Sequence, residues 1–151
     1  MPPKIHNFCA RKLDINKLQD RSLIQGLLRT RLPITTKFGA VNYSHIFLWH
    51  AVYFWSGFLW YIEEKNIIIV CYVQDNTMHI YDIVHNKPFS AREILSCITN
   101  QNIDKIYFYF TPELLDVLAK PEKIYTDSPL FVKGYFPFEK KYSKFPITGQ
   151  A

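Results

Sequence analysis

Asp82 is the acid in this chain best placed to do chemistry. It shares strand parity with Met78, Ile80 and Val84 in an apolar, β-branched run. A carboxylate projecting from such a face would be desolvated, its pKa raised, and it could remove a proton from a reacting group. The ordinary reading is a strand-end aspartate bonding the turn at His85-Asn86, and both stay open. Glu63 and Glu64 stand together between two strand-like runs and could receive a substrate amine. Adjacent acids in a hairpin turn are more often only solvated. Trp49, Tyr53, Phe54, Trp55 and Trp60 form the densest aromatic group, which suits a substrate pocket, a partner interface, or packing of a helix on a sheet. His45 and His50 are five apart, a poor fit to one helix face, and His6-x-x-Cys9 has no second ligand pair at zinc-like spacing. No metal site is therefore expected, and no serine lies in a nucleophile-elbow motif.

The elements that must position these groups are legible in outline. Phe8 to Ile15 is compatible with a short strand. Asp20 is expected to cap a helix whose Leu23, Ile24, Leu27 and Leu28 recur at helical spacing, ending before Pro33. Asn42 or Ser44 would cap a second helix running to about Phe54. Phe58 to Ile62, Ile67 to Val73 and Met78 to Val84 read as a three-strand meander with turns at 63–66 and 74–76. Ser90 to Glu93 has capping-box spacing and opens a helix with Ile94, Leu95 and Ile98 on one face. From Asp104 to Phe110, Ile106, Phe108 and Phe110 alternate with Tyr107 and Tyr109, one face core and the other covered by a helix. Thr111-Pro112 ends this strand. Glu113 to Ala119 suits a short helix, and Leu130 to Lys133 a late strand. The crossing by a helix implies that the Asp104–Phe110 strand does not simply extend the meander.

The 151 residues suit one domain, divided into a helical N-terminal part (1–56), a sheet with a crossover helix (57–133) and a tail (134–151). At 48% apolar residues, disorder is excluded as the main state. The uncharged stretch from Ile46 to Ile62 reads as a soluble helix and a strand, broken at Ser56-Gly57, not as a membrane span. Residues 1–40 carry eight cations against two acids, so the net charge of +5 is all N-terminal. That could attract an anion, but a solvated helix face is the plainer reading, and nucleic acid is not the expected partner. Lysines alternating with aromatics in the tail are likewise expected to pack with their charges in water. Three cysteines cannot all pair, and the expected location is a reducing cytoplasm. Cys71 and Cys97 are expected as small core residues.

Five strings, Tyr61-Ile-Glu-Glu64, His79-Ile-Tyr-Asp-Ile83, Tyr107-Phe-Tyr-Phe-Thr-Pro112, Leu130-Phe-Val-Lys-Gly134 and Phe145-Pro-Ile-Thr-Gly-Gln-Ala151, resemble the C-terminal portion of bacterial GNAT-type N-acetyltransferases. Arg11-Lys-Leu-Asp14 and Thr36-Lys-Phe-Gly39 fit the same portion. The resemblance implies transfer of an acetyl group from acetyl-CoA to a small-molecule or peptide amine. The family holds the cofactor pyrophosphate on a Gly-x-Gly/Ala turn before a helix, where bare amides and the helix dipole meet the charge. This chain has five glycines and no Gly-x-Gly, so no cofactor-binding residue carries over. It is then either a C-terminal piece of a longer enzyme or the scaffold without the grip. The expectation is a single α+β domain, GNAT-like, with a mixed, largely antiparallel sheet flanked by helices. Asp82 and Glu63 are its candidate catalytic acids, and Trp49, Tyr53, Trp55 and Trp60 its substrate or interface residues. The alternative is a non-catalytic module that docks a protein partner, or a second copy of itself, through the aromatic cluster.

Overall fold

A computed structural model describes residues 9–37, 39, 42–98 and 102–122. The phenylalanine expected to begin the first strand, the late strand from Leu130 and the whole tail lie outside the described residues. The described elements are β1 (Ala10–Lys12), α1 (Leu18–Thr30), α2 (Ser44–Tyr53), β2 (Leu59–Ile62), β3 (Ile67–Gln74), β4 (Thr77–Val84), α3 (Ala91–Ile98) and β5 (Lys105–Phe108), with single 3-10 turns at Glu63–Lys65 and Glu113–Leu115. They form an α+β fold around one five-stranded sheet in the order β1-β2-β3-β4-β5. β1 to β4 pair antiparallel, and β5 lies parallel to β4. β5 thus takes the next place in the sheet after all. It runs parallel because α3 returns the chain to the end where β4 began.

The sheet is covered on both faces. On one, Ile24, Leu27 and Leu28 of α1 and Phe47 and Ala51 of α2 pack against Leu59, Tyr61, Ile68, Val70 and Val84. On the other, Ala91, Ile94 and Ile98 of α3 pack against Ile62, Ile67, Ile69, Cys71, Met78, Ile80 and Ile83. Burial on both faces explains why β3 is an unbroken apolar run. The β3–β4 hairpin closes through Asp75 and Asn76, both left-handed at φ 48° and 58°, matching the right-handed twist of the strands. Ile46 to Ile62 is divided into α2 and β2 at the turn containing Gly57 (φ 80°), and no described helix is long and apolar enough to cross a membrane.

Several local expectations need correction. α1 begins at Leu18, and Asp20 does not cap it. Asp20 instead binds Arg11 Nη1 and the Asp14 amide, both at 2.9 Å, tying β1 to the start of α1. α2 has Tyr43 at its N-cap position and no side-chain cap, so neither Asn42 nor Ser44 plays that part. The helix expected after Pro112 is a single 3-10 turn, because Asp116 turns left-handed at φ 52°.

Candidate functional site

A one-residue irregularity in β4 decides where Asp82 points. Cys71 pairs with Ile80 while Val70 pairs with Asp82, leaving Tyr81 as an extra residue. Such a bulge resets the alternation of the strand. Met78 and Ile80 face α3, whereas Val84 lies in the core under α1 and α2. Asp82 therefore parts from Met78 and Ile80 and meets Arg31, at the end of α1. Its Oδ2 and Oδ1 accept from Arg31 Nη1 and Nη2, each at 2.9 Å, and Oδ1 also accepts from the Ile83 amide at 2.8 Å. Nη2 reaches the Ile83 carbonyl at 3.2 Å, and the guanidinium lies 4.9 Å from the Tyr43 ring centre. The Asp82 side chain is 1% exposed and that of Arg31 10%. Burial alone would lower the Arg31 pKa, but the Asp82 charge and hydrogen bonds outweigh it and hold the guanidinium above its ordinary value. In this arrangement Asp82 is an anchor whose two oxygens are already engaged.

The chain following Arg31 is strapped across the carboxyl ends of β4 and β5. The Leu32 amide donates to the His85 carbonyl at 2.7 Å. Glu113 Oε1 accepts from Thr35 Oγ1 and the Thr36 amide at 2.6 Å and the Lys37 amide at 3.2 Å, while its Oε2 is buried with no partner among the described residues. Burial would raise the Glu113 pKa, but these bonds prevail and hold it below the ordinary value. Beyond the strap, a groove of about 530 Å³ opens between the first turn of α3 (Ser90, Ala91, Arg92) and Leu115, Asp116 and Val117. Glu63 stands exposed at this same end of the sheet, in the 3-10 turn joining β2 to β3. That turn is tied to α3 by Lys65 and Glu93 at 3.2 Å. Glu63 is at the surface while Asp82 is buried against Arg31, so the two form no paired acid and base.

The predicted tryptophan group divides. Trp55 is 3% exposed in the core, stacked on His50 at 4.9 Å. Trp60 faces the α3 side and carries Lys12 5.0 Å from its ring. Trp49 and Tyr53 remain at the surface, joined by Phe54, which is 58% exposed and 5.1 Å from Trp49. Cys71 is buried, its thiol pushed up to about 12 by desolvation, but Cys97 is half-buried and paired with Cys9, which corrects its reading as a core residue.

A second arrangement had no reading in the sequence. Across the α1/α2 face, beside the helices, Phe58, Tyr72, His79 and Tyr107 stack in a row at 4.8, 4.8 and 5.4 Å. Tyr81 and Tyr109 stack beside them at 4.5 Å, and His79 Nδ1 lies 3.1 Å from the Tyr109 hydroxyl. On the face expected to be covered by a helix, Tyr107 and Tyr109 are only half-buried, among neighbouring rings. Burial lowers the His79 pKa and raises those of Tyr81 and Tyr109. The signal was the shared parity of His79 with Tyr81 and of Tyr107 with Tyr109, but strand order was needed to make them neighbours.

Among the described residues no group of three or more His, Cys, Asp or Glu could hold a metal ion. No family description, no curated protein and no solved structure matches the chain.

Proposed function

We propose that the chain is an acetyltransferase-like domain that takes acetyl-CoA at the carboxyl ends of β4 and β5, for transfer of its acetyl group to a small-molecule or peptide amine in the cytoplasm. The observation that carries this reading is the parallel β4–α3–β5 unit opening onto the groove at Ser90–Arg92 and Leu115–Val117. Sheets with parallel strands take ligands outside the carboxyl ends of those strands, where a helix begins and its positive end faces the ligand. The order of meander, helix and strand is also the order on which the GNAT resemblance rests.

The groove suits a phosphate-bearing thioester carrier by residues of its own. Arg92, Ser90 and the first-turn amides of α3 offer donors to phosphate, and Leu95, Leu115 and Val117 offer apolar walls to the carrier arm. Bound there, the carrier would supply an activated acetyl carbonyl. The loop before α3 contains Pro88 and no glycine, so fewer bare amides face the phosphates than a Gly-x-Gly turn provides, and Asp116 opposes negative charge from the far rim. Binding is therefore expected to be weak. Asp82, held by Arg31, positions the strap, and Glu63 is an exposed acid at this end that could receive the charge of an incoming amine. Calorimetric titration should give saturable acetyl-CoA binding with a dissociation constant below ~1 mM, about 4 kcal/mol. Arg92→Glu should weaken it about tenfold or more. Absence of heat at that concentration overturns the reading.

A second reading is favoured by the exposed rings at the end of α2. Trp49, Val52, Tyr53 and Phe54 are 45 to 68% exposed and adjoin one another, a composition typical of interfaces. The partner proposed is a second copy of the chain. Sedimentation velocity should then show concentration-dependent dimers that Trp49→Ser with Phe54→Ser abolishes, and a monomer at every concentration would exclude it.

A further inference from the structure

Cys9 and Cys97 lie 88 residues apart in sequence, yet their Cα atoms are 5.1 Å apart, within the span a disulfide bridges. Cys9 immediately precedes β1, and Cys97 lies in the last turn of α3. Both are half-buried and so open to exchange, whereas Cys71 is buried in the sheet. β1 has only three residues and forms one edge of the sheet. Its side chains hold it by few contacts, an Arg11–Asp20 pair with the arginine half-exposed and the aspartate buried, Lys12 over Trp60, and the small Ala10 against the α3-side core. Beside it lies β2, which would present an open strand edge to solvent if β1 detached.

We propose that Cys9 and Cys97 form a reversible thiol–disulfide clasp that pins β1 over the β2 edge when oxidised and lets it fray when reduced. With glutathione disulfide as oxidant, one thiolate attacks a glutathione sulfur and releases one glutathione thiol. The second protein thiolate then attacks the mixed disulfide and releases the other. The two protein thiols lose two electrons and two protons, and glutathione disulfide becomes two glutathione molecules. The clasp depends on neither the groove nor the exposed α2 rings. It joins the last turn of α3 to β1, whereas the groove opens at the first turn, so it sets the integrity of the sheet edge and not the ligand site.

Equilibrating the full chain in glutathione buffers, followed by alkylation and peptide mapping, should yield a Cys9–Cys97 linked peptide under oxidising conditions. Amide exchange in Leu59–Ile62 should then be slower than in the reduced protein by on the order of tenfold. Cys71→Ser should keep both effects, and Cys97→Ser should exchange at the reduced rate in every buffer. The proposal is overturned if no linked peptide forms, if the cross-link joins two chains, or if β2 exchanges equally in both states.

Discussion

Asp82 and Arg31 are each other's main electrostatic partner, 51 residues apart in sequence. Removing one member of a buried pair strands the other charge in a low-dielectric interior. Asp82→Ala should therefore cost about 3–5 kcal/mol in urea denaturation, whereas Arg31→Met with Asp82→Leu should be far less damaging. A catalytic acid without a structural role would show no such rescue. Glu113 makes a different prediction. Its folded pKa lies below the unfolded value of about 4.3, so its stabilising contribution is present above that pH and lost as pH falls through the lower folded value. Between about pH 6 and 3 the wild type should lose more stability than Glu113→Gln. His79 and His85 are both lowered, chiefly by burial, so the unfolded chain binds more protons below about pH 6.5. Stability should rise with pH toward that value, and NMR titration should find both imidazoles below it.

The elements follow local rules except where tertiary contacts override them. The meander and the crossover helix are legible because β-branched runs, Asp-Asn turn chemistry and helical apolar spacing act within a few residues. The start of α1 is misread for a physical reason. A buried aspartate bonded to Arg11 and the Asp14 amide resembles a cap in sequence, since the same carboxylate can serve either partner. Two glycines separate local from tertiary effects. Gly26 is exposed within α1, and no neighbouring element comes within 4 Å of the place an added methyl would take, so Gly26→Ala should stabilise by roughly 0.5–1 kcal/mol. Gly57 has equal room but φ +80°, so Gly57→Ala should cost about 1–2 kcal/mol through the backbone alone. Thermal or urea unfolding of both variants checks the opposite signs.

At the scale of the molecule, helices on both faces turn a chain of alternating elements into two cores on one sheet. The excess N-terminal charge is partly consumed inside this assembly. Arg31 pairs with Asp82 of the sheet, which takes one cation out of the excess, whereas Arg11 pairs with Asp20 of the same segment and changes nothing in that balance. Element types and their order, the α+β class and the apolar faces were determined by the sequence itself, because each depends on neighbours within one turn or one strand pair. Only the tertiary structure decided that Asp82 faces Arg31 and that Trp55, Trp60 and Trp49 part company. It also decided that six rings form a strip and that Cys9 meets Cys97. Asp82 and the ring strip depend on strand register, where one extra residue in β4 is enough to reverse which face a side chain joins, and the tryptophans and cysteines depend on how the helices dock on the sheet.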